Sequence, residues 1–179
     1  MEEKMANANL PKSFKPLSYD KQHVLRIWAA ASLASKGGID GGHDILCMNS
    51  AGRAAAYGSD PLLGLQLGGF IDQDDLTYKT TAAVDDYVDV IIDPNVLFRG
   101  QLSSFAKADP YTTRNSAGCF DVAGNAGVQY VDAAATTNKS IRVIGLAKEE
   151  KQGTYSEIGA NAQVLFRLNL NKHFTTTVS

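Results

Sequence analysis

Apolar and polar positions alternate along much of this chain with the period of two that marks strands. The pattern is clearest near the end, from Ala162 to Asn171. There Val164, Phe166, Leu168 and Leu170 fall on one face, and Gln163, Leu165, Arg167, Asn169 and Asn171 on the other. Such a strand has one side in a core and one toward water. Ile141 to Leu146 predicts a partner for it, with Ile141, Val143 and Gly145 facing one way and Arg142, Ile144 and Leu146 the other. Tyr87 to Ile92 is dense in β-branched and aromatic residues, which suit a pleated surface. Asp93-Pro94-Asn95 stops that ladder, because proline has no N–H to donate and fixes its own φ. The chain then resumes extended at Val96-Leu97-Phe98.

Upstream, Asp44 to Met48 predicts a strand, Asn49-Ser50-Ala51-Gly52 a hairpin turn, and Arg53 to Tyr57 the returning strand. Gly58-Ser59-Asp60-Pro61 turns again into Leu62 to Ile71, an apolar strand whose glycines predict bulges or close backbone approach. Residues 103–127 read as a long irregular connection holding one short strand at Cys119 to Val122, with another at Val128 to Val131. Short strands separated by turn signals predict an all-β fold, a small barrel or sandwich of antiparallel strands. Residues 21–36 are ambiguous: the alanine content and an Asp20 cap fit a helix ended by Gly37-Gly38, while Val24, Arg26 and Trp28 against Leu25 and Ile27 alternate as a strand would. In residues 1–20 no period organises Leu10, Phe14, Leu17 and Tyr19. This stretch is either a loosely attached tail or an extended arm whose apolar side chains drop into pockets on a neighbouring subunit. The tail after Asn171, with Phe174, is read as extended.

A chain of 179 residues that is 44 % hydrophobic has enough apolar material for one core. The expected organisation is an arm over 1–20, a single β domain over 21–171 and a tail over 172–179. A net charge of −2 gives no reason to expect nucleic acid as a partner. The longest apolar runs are far too short to cross a membrane, and the charged start Met1-Glu2-Glu3-Lys4 does not read as a signal peptide, so synthesis in a cytosol is expected. Cys47 and Cys119 are expected as buried, reduced thiols.

Candidate chemistry is sparse. Gly37-Gly38 and Gly41-Gly42 lack a phosphate-loop pattern and read as a surface turn. Asp72-Gln73-Asp74-Asp75 fails as a calcium loop, with Thr77 where glycine and Ala83 where glutamate would stand. Those carboxylates, with Asp85, Asp86 and Asp89, are expected to be solvated. His23, His43 and His173 share no metal-ligand spacing with each other or with the cysteines, and no nucleophile elbow or dinucleotide fingerprint is present. The expectation is a protein that is not an enzyme, with no catalytic, metal or cofactor residues. A rival is a carbohydrate-binding module, whose exposed rings would come from Tyr87, Tyr111, Tyr130 and Tyr155.

Several segments taken together resemble a known family. They are Asp44 to Gly52, Leu62 to Leu65, Val90 to Gln101, Ile141 to Leu146 and Ala162 to Asn169. The strongest element is Asp-Pro-x-x-x-Phe-x-x-Gln from Asp93 to Gln101, followed by a closing strand that ends near Asn169 and His173. Over residues 40–170 the chain resembles the small β-barrel decoration, or cement, proteins of tailed-bacteriophage heads. The resemblance favours a strand at Val24 to Ala30, although the alanine-rich run departs from the family's usual opening strand. It implies a structural protein without an active site, made in the host cytoplasm and carried on the capsid exterior of the virion. Its partners would be the major capsid protein and further copies of itself, as a dimer or trimer. The expected contact residues are Leu10, Phe14, Leu17, Tyr19 and Phe174.

Overall fold

A computed structural model of the protein describes residues 13–34, 43–58, 61–105, 119–135, 138–148, 156 and 158–173. The described strands are β1 (Lys15–Pro16), β2 (Val24–Trp28), β3 (Ile45–Met48), β4 (Ala54–Ala56), β5 (Leu62–Ile71), β6 (Tyr78–Lys79), β7 (Tyr87–Ile91), β8 (Phe98–Phe105), β9 (Cys119–Ala123), β10 (Tyr130–Asp132), β11 (Ile141–Leu146) and β12 (Gly159–Leu168). The protein is all-β, as the alternation predicts. Strands β8, β10, β9, β11 and β12 follow one another by hydrogen bonding, and β12 returns to β8, which closes a five-stranded barrel. Only the β8–β10 junction of that barrel is parallel. Closure removes the unpaired edge that an open sheet would present.

The second sheet runs β2-β7-β5-β3-β4, with β6 on the end of β5. A bridge between Ala29 and Ala54 brings its two outer strands together, so this sheet curls round its own apolar centre. Tertiary pairing decides the ambiguous segment: all five residues of β2 pair with β7, which sets Leu25 against Val90 and Ile27 against Val88. Asp20 does cap a helical turn, but only the single 3-10 turn Lys21–His23, where its Oδ1 accepts from the Gln22 N–H.

Each sheet has a core. Phe98, Leu102, Phe120, Val122, Ile141, Val164 and Phe166 fill the barrel and merge with Ile45, Leu62, Leu65 and Ile91 from one face of the second sheet. Leu46, Leu63, Phe70, Val88 and Val90 form the centre of the curled sheet. Gly100 is required by this packing, because a Cβ there would run into the rings of Phe14 and Phe166. Gly64, at φ 158°, could not carry a side chain either, since it would meet the Ile91 carbonyl of the neighbouring strand.

Four expectations are corrected. The described part of the 1–20 arm is not separate from the domain: Lys15 and Pro16 pair with Arg99 and Phe98, and Phe14 exchanges backbone hydrogen bonds with His43 at 2.9 and 2.7 Å. Residues 103–105, assigned to an irregular connection, continue β8 because β12 supplies a long antiparallel partner. In β11 Ile144 is exposed on the Arg142 face as the alternation predicts, but a bulge between Val143 and Gly145 then breaks the alternation and turns Leu146 onto the core. The closing strand ends at Leu168, and Leu170 lies exposed in the 3-10 turn Leu170–Lys172. The glycine-rich turn at 37–42, the connection at 106–118 and the tail at 174–179 lie outside the described residues.

Buried polar groups tie the two sheets together. The Ser13 hydroxyl donates to Asp44 Oδ1 at 2.5 Å and accepts from the Gln129 N–H at 2.9 Å. Asp44 Oδ2 takes the Gly127 N–H at 2.8 Å, and Gln129 Oε1 takes the Ile45 N–H at 2.7 Å. All three side chains are buried, so each bond replaces water that cannot reach them. The Tyr57 hydroxyl reaches Ser140 Oγ at 2.7 Å, and His173 Nε2 lies 3.0 Å from the Leu63 carbonyl.

Candidate contact surface at residues 17–23

Beyond β1 the chain leaves the barrel wall, held by the Leu17 N–H on the Leu97 carbonyl at 2.9 Å. It passes Tyr19 and Asp20, makes the 3-10 turn and enters β2. The Asp93-Pro94-Asn95 turn lies opposite, fastened by Asp93 Oδ1 accepting from the Asn95 N–H at 2.8 Å. His23 Nδ1 and Asp93 Oδ2, 3.1 Å apart, join the two segments. Between them is an open cleft of about 790 Å³, lined among others by Leu17, Tyr19, Lys21, His23, Asp93 and Arg167.

Leu17 and Tyr19 are 52 % and 42 % exposed at its rim, although they lie close in sequence to the fully buried Phe14. Their backbone explains the difference. Phe14 faces inward just before β1, whereas Leu17 and Tyr19 lie beyond Pro16, where the pairing with β8 ends.

The expected contact residues therefore part company. Leu17 and Tyr19 come together on one surface. Phe14 is withdrawn from it: fully buried, it packs edge-to-face on Phe166 at 4.9 Å in the space left by Gly100. Leu10 and Phe174 lie outside the described residues. The sequence reading missed His23, Asp93 and Arg167 as neighbours of Leu17 and Tyr19. The turn at Asp93 was visible, but its position beside residues 19–23 is set by long-range pairing of β1 and β2 with β8 and β7.

The other titratable groups serve the fold. Burial pushes the imidazoles of His43 and His173 below the usual histidine value, and for His173 bonds to Leu63 and Ile92 partly oppose it. Burial likewise raises the Tyr57 hydroxyl and the Cys119 thiol, the latter against the opposing charges of Arg142 and Lys139. Both cysteines are free and buried. Asp86, expected in solvent, is buried and accepts from the Ala83 N–H at 2.7 Å and from Lys79 Nζ at 3.3 Å. Among the described residues, no three His, Cys, Asp or Glu side chains converge on a point that could hold a metal. Comparisons with family models, curated proteins and solved structures find no match.

The rings of the second sheet form a separate feature. Tyr78, Ile71, Tyr87 and Trp28 stand in register across β6, β5, β7 and β2. Trp28 and Tyr87 stack at 4.1 Å, and Tyr78 is 75 % exposed. Tyr130 is partly buried, and Tyr111 and Tyr155 lie outside the described residues.

Proposed function

We propose that the chain is a structural protein of a tailed-phage head, bound outside the expanded capsid and holding neighbouring major capsid subunits together. In this reading it acts as a dimer or trimer, catalyses nothing, and is made in the host cytoplasm before joining the virion. The observation that carries the reading is the exposure of Leu17 and Tyr19, 52 % and 42 %, on a segment anchored at both ends and set beside a cleft. Anchoring lowers the ordering cost of binding, so most of the apolar contact appears as affinity. Burying one such side chain contributes about 2 kcal/mol, and many copies on a shell act at several points at once.

Co-sedimentation with emptied, expanded heads tests this directly. Wild-type chain should pellet with the heads, and Leu17→Ser/Tyr19→Ser should lose most of its occupancy while keeping the far-ultraviolet spectrum of a β protein. Equal occupancy of the folded variant would overturn the role of this segment.

The registered rings of Trp28, Tyr87 and Tyr78 favour a second reading, a module that stacks sugar rings on the second sheet. A glycan array probed with wild type and Trp28→Ala distinguishes the two. Retention of specific oligosaccharides by wild type alone would favour the module.

A further inference from the structure

Four neighbouring strands of the barrel wall, in the order β1-β8-β12-β11, carry Lys15, Arg99, Arg167 and Arg142 and no aspartate or glutamate. All four cations sit on the outer face. Their sequence neighbours Phe14, Phe98, Gly100, Ile141, Val143, Phe166 and Leu168 point into the barrel, so the alternation turns the basic side chains out. Register makes the arrangement costly. Lys15 stands directly opposite Arg99, and Arg142 directly opposite Arg167. Like charges at facing positions destabilise an antiparallel pair.

Among the described residues Lys15, Arg142 and Arg167 make no ion pair, whereas Arg26, Arg53 and Lys79 on the second sheet all do. Among the described residues, Lys15, Arg142 and Arg167 thus place positive charge without an ion pair on one wall of a chain whose net charge is −2. Aliphatic side chains lie among the cations: Leu165 faces Arg99 across the ladder, and Ile144, two residues on from Arg142 on the same face, is 45 % exposed.

We infer that this wall is a docking surface for an acidic polypeptide segment carrying aliphatic side chains between its carboxylates. Charge complementarity selects the acidic partner, and Leu165 and Ile144 supply the apolar contacts. A continuous phosphate chain fits less well. The strand residues among the cations, Leu165 and Ile144, offer no ring on which a base could stack, and their aliphatic surface suits a peptide side chain. The inference holds whether or not the partner is a shell subunit.

The test uses the full chain and three probes by fluorescence anisotropy: a labelled peptide of alternating Glu and Leu, the matching Lys and Leu peptide, and a single-stranded oligonucleotide of similar length. The Glu peptide should bind, weaken as salt rises, and outcompete the other two. Arg142→Gln/Arg167→Gln should weaken it at least tenfold without lowering the melting temperature, because a repulsion has been removed; Arg26→Gln should leave it unchanged. Absence of binding, tighter binding of the oligonucleotide, an unaffected double variant, or a double variant that melts earlier would each overturn the inference. So would low-salt self-association abolished by Asp74→Asn, which would assign the wall to a second copy's acidic turn.

Discussion

The two sheets handle charge in opposite ways. On the second sheet cations meet carboxylates across the ladder or at its corner. Arg26 forms a bidentate pair with Asp89 at 2.8 and 2.9 Å, Arg53 meets Asp85 at 2.8 Å, and Lys79 lies between Asp72 and Asp86. The barrel wall instead places arginine opposite arginine. Interior packing does not demand this, since outward positions of a strand tolerate almost any polar residue. A sheet that neutralises its own charges is finished as a folding unit. One that sets like charges side by side retains a cost that the acidic partner proposed above would relieve.

The largest expected effect comes from opening the barrel core. Phe14→Ala removes a fully buried ring and should lower unfolding stability by about 4 kcal/mol, read from the denaturant midpoint. A loss under about 1 kcal/mol would return Phe14 to the status of a peripheral arm residue. Next, Asp44→Ala strips the acceptor from Ser13 and Gly127 where the sheets meet and should cost about 3 kcal/mol. If the two sheets then melt in separate steps, the polar tie is what makes them one cooperative unit.

Acidification acts at the same junction, since His43 bonds to Phe14 and His173 reaches Leu63. Both imidazoles are held below their unfolded value of about 6.5, so the unfolded chain binds more protons. Stability contributed by these groups is complete above that pH and is lost as the pH falls through their lower folded values. Denaturant midpoints measured downward from pH 7 should decline, and His173→Gln should flatten the decline. The smallest effect belongs to the surface of the second sheet: Arg26→Gln breaks an exposed pair and should cost about 0.5 kcal/mol.

Much of this architecture was legible in the chain. The turn at Asp93-Pro94-Asn95, the strands on either side of it, and the inward set Val164, Phe166 and Leu168 all follow from period and turn chemistry. What escaped was set by partners distant in sequence. Val24 to Trp28 became a strand because β7 offered a ladder, and Leu146 turned onto the core because β12 opposed β11 with a shifted register. Phe14 was assigned to a contact surface because nothing local shows that Gly100 leaves a space for its ring. The proposed contact segment was half legible: Leu17 and Tyr19 could be named from their unexplained apolarity, while His23, Asp93 and Arg167 join them only through the fold. The four-cation wall was invisible for the same reason, since Lys15, Arg99, Arg142 and Arg167 are spread over most of the sequence.

The contrast between the sheets is tested most directly by the denaturation midpoint of Arg142→Glu against wild type. A glutamate facing Arg167 would exchange repulsion for attraction, so the midpoint should rise by the equivalent of about 0.5–1 kcal/mol. A midpoint below wild type would show that Arg142 already has a stabilising role in the free chain and that the barrel wall is not waiting for an acidic partner.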